Sequence, residues 1–126
     1  MAQVAVNIYE RAQHEALDAA VLDRNHLARM TFGDRSLERE VLQLFDRQSE
    51  LLLERMRTSE PAAIATLAHT LKGSAVGIGA KRVASAAAEV EATAQAKPDE
   101  MSRAVDELAQ AVEEARAEIS ALIRAH

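Results

Sequence analysis

Cysteine and tryptophan are absent from the 126 residues, aromatic residues make up only 2%, and there are two prolines and four glycines. Without cysteine there is neither a disulfide framework nor a thiolate metal site. With so few aromatics there are no stacking platforms of the kind that hold single-stranded nucleic acid. A formal charge of −5 also removes the basic face that phosphate backbones require, so nucleic acid is not an expected partner. No apolar run approaches the roughly 18 residues of a membrane span. The opening MAQVAVNIYERAQ lacks the basic stretch and apolar block of a secretion signal. The expected location is therefore the cytoplasm, away from the membrane.

The apolar content is nonetheless 48%, and it is carried by alanine, leucine, valine and isoleucine. Alanine is the best helix former and lets neighbouring backbones approach. Proline and glycine, the usual interrupters, fall only at a few positions. The expected class is all-α, with one domain, since the chain is short for two.

The elements follow from their punctuation. Residues 3–20 read as an Ala-rich helix, forming an N-terminal extension over 1–20 ahead of a domain at 21–126. Asp23 is placed to cap a short helix carrying Leu27 and Met30, which Gly33 ends. Asp34 can cap the next helix, whose expected buried face is Leu37, Val41, Leu44, Phe45, Leu51 and Leu52, with Gln48 as its polar exception. Thr58-Ser59-Glu60-Pro61 breaks the chain and starts a helix over 61–77, with Ser59 or Glu60 at the cap. Its stripe is Ile64, Leu67, Ala68, Leu71, Ala75 and Ile78. After Gly77 and Gly79, a further helix spans 81–95 around Val83 and Val90. Pro98, Asp99 and Glu100 open the last one, where acidic residues suit the positive end of the dipole. Met101, Val105, Leu108, Val112, Ala115, Ile119 and Leu122 then follow the alternating spacing of a bundle seam. Four principal helices with short connections make an antiparallel four-helix bundle, with an additional N-terminal helical segment.

One histidine stands apart from His14, His26 and His126, which read as solvated surface residues. At about 100° per residue, His69 points roughly 150° from its helix's apolar stripe and faces solvent. Lys72 and Gly73 lie three and four residues on, beside it. A glycine inside a helix costs about 1 kcal/mol relative to alanine, and this chain uses alanine almost everywhere. Access for another surface is a reason to keep Gly73 bare. No acidic residue occurs from Ala62 to Ala88, while Lys72, Lys81 and Arg82 are basic, so the segment reads as locally positive. Thr66 and Val76 complete the candidate docking surface. A neutral imidazole offers a nitrogen lone pair, and phosphoryl transfer needs an in-line nucleophile and nearby cations with little else. A metal site is not expected, because no second histidine or carboxylate lies three or four residues from His69. Gly73, Gly77, Gly79 and Lys81 look superficially like a phosphate loop but fail its spacing and have no preceding strand.

The run Ala68-His69-Thr70-Leu71-Lys72-Gly73-Ser74-Ala75, followed by Gly79-Ala80, resembles the histidine-containing phosphotransfer (HPt) domain family. Leu27 to Phe45, with Gly33-Asp34 and Leu44-Phe45, is similar to the stretch leading into that family's first bundle helix. The resemblance covers about residues 20–125; the first 20 residues and the extra Gly77 depart from it. It implies a four-helix bundle of a two-component phosphorelay, which passes phosphate between aspartates of response-regulator receiver domains. His69 would be the phosphorylated residue, on Nε2, Lys72 the cation beside it, Gly73 the small residue admitting the receiver, and Ser74 a packing residue. The expected partners are receiver domains and a hybrid histidine kinase. Such a carrier is a monomer without its own ATP-binding kinase module or cofactor, Mg²⁺ coming with the receiver. Two other readings stand beside it: a helical adaptor without chemistry, and the N-terminal phosphotransfer domain of a chemotaxis-type kinase.

Overall fold

A computed structural model describes residues 21–125. The helix expected over 3–20 and the surface assignments of His14 and His126 lie outside them. Five α-helices follow in order: α1 (Arg24–Met30), α2 (Arg35–Arg57), α3 (Pro61–Ile78), α4 (Lys81–Ala96) and α5 (Met101–Ala125), with a 3₁₀ turn at Pro98–Glu100 before the last. The expected punctuation sets these boundaries. The Asp23 carboxylate accepts from the His26 amide at 3.0 Å, and Asp34 accepts from the Ser36 and Leu37 amides at 2.9 and 3.1 Å. Both carboxylates satisfy amides that have no partner within their helix. Glu60 occupies the N-cap position of α3 without a side-chain bond, and Pro61 supplies the first helical residue. Gly77 does not end α3. The helix runs through it to Ile78 and stops at Gly79, which is left-handed at φ +80°.

Helices α2, α3, α4 and α5 pack in a ring, each against the next and α5 back against α2, and α1 lies on α3. The most extensive contact is between α3 and α4. Ala68, Ala75, Ala80 and Ala87, all fully buried, line that seam and let the two backbones come close. The core has larger side chains from all four helices, among them Leu42, Phe45, Leu71, Val90, Leu108 and Ile119. The expected stripes of α3 and α5 are the buried ones, with Leu67 half-buried at the edge.

On α2 the expected face needs correcting. Leu44 and Leu51 are 60% and 49% exposed, and the buried residues are Leu42, Phe45, Ser49, Leu52 and Met56. Two apolar stripes overlap on this helix, and its long-range partners decide which faces inward. Arg116 of α5 donates from Nε to Asp46 at 2.8 Å and from Nη2 to Glu50 at 3.1 Å, fixing the α5 side of α2. The buried Ser49 hydroxyl donates to the Asp46 carbonyl at 3.0 Å, so it leaves no unmet donor. No described helix is long and apolar enough to cross a membrane.

Candidate functional site: an exposed histidine bridged to the next helix

The outward side of α3 carries Thr66, His69, Gly73 and Val76 at spacings of three and four, opposite the buried Ile64, Ala68, Leu71 and Ala75. All four of the outward residues are exposed, and the His69 side chain retains 69% of its free surface. The imidazole does not stand alone there. Glu91, in the third turn of α4, reaches across the α3–α4 seam, and its Oε2 lies 3.2 Å from His69 Nδ1. Its other oxygen is 2.9 Å from the Lys72 ammonium. That ammonium pairs with the carboxylate off the line of a well-formed hydrogen bond. One carboxylate therefore bridges the histidine and the lysine. Lys72, and after it the His69 contact, holds the Glu91 carboxyl below the usual carboxylate range, while its burial opposes the shift.

The bridge distinguishes the two ring nitrogens. With its proton on Nδ1, the imidazole donates to Glu91 and leaves the Nε2 lone pair free. Gly73 keeps the adjoining surface low: a Cβ built there would meet nothing within 4 Å. No packing contact demands glycine at this position, so clear space over the helix is what its missing side chain provides. Val76 is 59% exposed and borders a recess of about 310 Å³ with Asp23, His26, Gly79, Lys81 and Ala84.

Other expectations are redirected by the helices around α3. His26 is not simply solvated, because its Nε2 pairs with the Gly77 carbonyl at 3.2 Å and ties α1 to the end of α3. Arg82 pairs with Glu114 of α5 at 2.9 Å and lines the α4–α5 groove, away from His69. Lys81 is exposed beside the recess, and Thr66 is exposed with its hydroxyl donating to the Ala62 carbonyl at 3.3 Å. The acid-free segment from 62 to 88 is thus not a bare positive patch. Acids from α4 and α5 fold back onto Lys72 and Arg82. Glu91 is the site residue that the sequence reading passed over. Counting ligands only along α3 excluded a carboxylate that comes from α4. Among the described residues, no group of three or more His, Cys, Asp or Glu side chains is arranged to hold a metal ion.

The family model of the Hpt domain matches residues 37–120, two thirds of the chain. The chain belongs to the Hpt domain family. The match runs from the first turn of α2 into α5, and so includes α3 and α4 whole, most of α2 and α5, and His69, Lys72, Gly73 and Glu91. Among solved structures, an X-ray structure assigned as a histidine-containing phosphotransfer protein from rice superposes with a TM-score of 0.76. That alignment covers 98% of this chain and 95% of the rice chain at 16% identity. At that identity the likeness speaks for the Hpt fold. No curated protein sequence matches the chain.

Proposed function

We propose that this Hpt protein carries a phosphoryl group on Nε2 of His69, taking it from and returning it to aspartates of response-regulator receiver domains. The observation that carries this reading is the exposed imidazole whose Nδ1 is engaged by Glu91, one turn from a glycine whose missing side chain leaves clear space. The Nε2 lone pair attacks the phosphorus of the receiver's aspartyl phosphate in line. An N–P bond forms, the P–O bond to the aspartate breaks, and the aspartate leaves as a carboxylate. The Nδ1 proton stays in place throughout. The ring gains positive charge as the N–P bond forms, and the Glu91 carboxylate on Nδ1–H offsets it. Lys72 turns from Glu91 toward the phosphoryl oxygens, where its charge is needed only while phosphate is present. Return to a second receiver runs the same steps backward.

In this reading the protein is a cytoplasmic phosphocarrier. A hybrid histidine kinase and receiver domains are its partners, and the receiver brings the Mg²⁺. The family match and the site geometry support it together. The test is transfer from a receiver domain phosphorylated on its aspartate to wild type and to His69→Gln. Wild type should gain a label that acid removes and alkali does not, and the variant should gain none while remaining helical. Binding that survives with no transfer to either protein would favour the adaptor reading instead.

A further inference from the structure

The connection between α1 and α2 contains a residue that neither folding nor packing accounts for. Phe32 has φ +56° and is 89% exposed. It occupies the position after the helix cap in a Schellman turn, its own amide donating to the Arg29 carbonyl at 3.3 Å and the Gly33 amide to the Ala28 carbonyl at 2.9 Å. Glycine is the usual residue there, because a Cβ resists the left-handed conformation. Gly33 follows at φ +72°, so glycine at 32 would make the turn easier to form. The exposed ring gains no burial in return. A strained, solvated aromatic of this kind points to a surface that becomes covered by something else.

Its place in the fold says which surface. Asp23 donates its amide to the Gly79 carbonyl at 2.9 Å, and His26 holds the Gly77 carbonyl. Lys81 and Ala84 of α4 border the same recess. From there α1 leads through Phe32 to Arg35, where α2 begins. Helix α1 therefore crosses the C-terminal end of α3 from the α4 side to the α2 side, and its start borders Val76, on the outward side of α3 that also carries His69 and Gly73. Met30, in the last turn of α1, is 54% exposed. Met30 and Phe32 are thus exposed apolar side chains at the α2 end of this crossing, as Val76 is beside its α4 end.

We infer that Phe32 is a docking anchor for the receiver domain, kept in a left-handed turn at the expense of stability because its ring inserts into the apolar surface beside the receiver's phosphorylated aspartate. The inference rests on the phosphotransfer reading above and adds a residue that touches the partner without touching phosphate. Large aromatic side chains supply much of the affinity of such contacts from a small area.

The full chain is compared with Phe32→Gly, Phe32→Asn and Phe32→Trp. Glycine and asparagine suit the turn and remove the ring, whereas tryptophan restores an aromatic. Phosphoramidate, too small to need a docking surface, reports on His69 alone. A receiver domain phosphorylated on its aspartate reports on docking and transfer together. The glycine variant should melt higher by roughly 3–6 °C and accept phosphate from phosphoramidate at the wild-type rate. For the glycine and asparagine variants the KM for the phosphorylated receiver should rise about tenfold, with kcat within about twofold, and tryptophan should restore it. An unchanged KM in both ring-deleted variants would overturn the inference. So would a lower melting temperature for glycine, which would mean that the ring is covered by its own chain. If wild type took phosphate from neither donor, the phosphotransfer reading itself would fail, and this inference with it.

Discussion

Replacing Glu91 with glutamine keeps the shape of the bridge and removes its charge. The side chains of His69 and Glu91 are 69% and 26% exposed, so the pair is closer to a surface contact than to a buried one. Exposed pairs of this kind contribute about 0.2–1 kcal/mol, and the upper end corresponds to about a fivefold change in population. Loss of Glu91 charge should therefore lower the preference for the Nδ1-protonated ring by up to about fivefold, and slow transfer by about two- to fivefold. The fold should hardly change, because Glu91 replaces no core side chain. Nitrogen-15 shifts of the imidazole measure the tautomer ratio, and single-turnover transfer from a phosphorylated receiver measures the rate. Lys72 is released in the same variant and can move to the phosphate sooner, which works in the opposite direction. The Lys72→Ala variant and the double variant separate the two contributions. If Glu91→Gln left both the tautomer ratio and the rate unchanged in the Lys72→Ala background, the orienting role assigned to Glu91 would be wrong.

Three further outcomes follow from the same geometry. Gly73→Gln should leave the fold intact or more stable by about 0.5–1 kcal/mol by urea unfolding, since a Cβ there meets nothing. The same change should slow receiver-dependent transfer at least about tenfold, and full transfer would remove the access argument. Gly79→Ala should destabilise by about 2 kcal/mol in the same assay, because the residue is left-handed and its Cβ would lie 3.0 Å from the Asp23 carbonyl oxygen. The Glu91 carboxyl is held below its ordinary value of 4.5. Its contribution to stability is therefore complete above that value and is lost only as pH falls through the lower, folded-state one. Carboxylate carbon-13 shifts should place its titration below 4.5, and a titration above that value would contradict the Lys72 bridge.

How far these features could be read from residues alone depends on whether their causes are local. Asp34, Pro61 and Gly79 punctuate the helices by rules that act within a few residues, so the element boundaries were legible. The stripes of α3 and α5 were legible too, because each has a single apolar side opposed by polar or small residues. Helix α2 carries two overlapping stripes, and the choice between them is made by α3 and α5, whose register no local pattern states. The same holds for the site. His69, Lys72 and Gly73 share a turn and a spacing that chemistry makes conspicuous. Glu91 enters only because α3 and α4 pack closely enough, across alanines, for a side chain 22 residues away to reach Nδ1. A clue was present: Glu89 and Glu91 are the first acids after the acid-free stretch, on the helix antiparallel to His69. Phe32 was hidden for a different reason, since Gly33 beside it accounts for the end of α1 on its own.

The central claim is that Nε2 of His69 carries the phosphoryl group. Wild-type protein labelled by a phosphorylated receiver domain can be mapped by phosphorus–nitrogen correlation in ¹⁵N-histidine samples, held at alkaline pH to preserve the bond. The account predicts one phosphorus coupled to one ring nitrogen, Nε2 of His69. Phosphorus on Nδ1, on His26, or on any residue in the His69→Gln variant would contradict it.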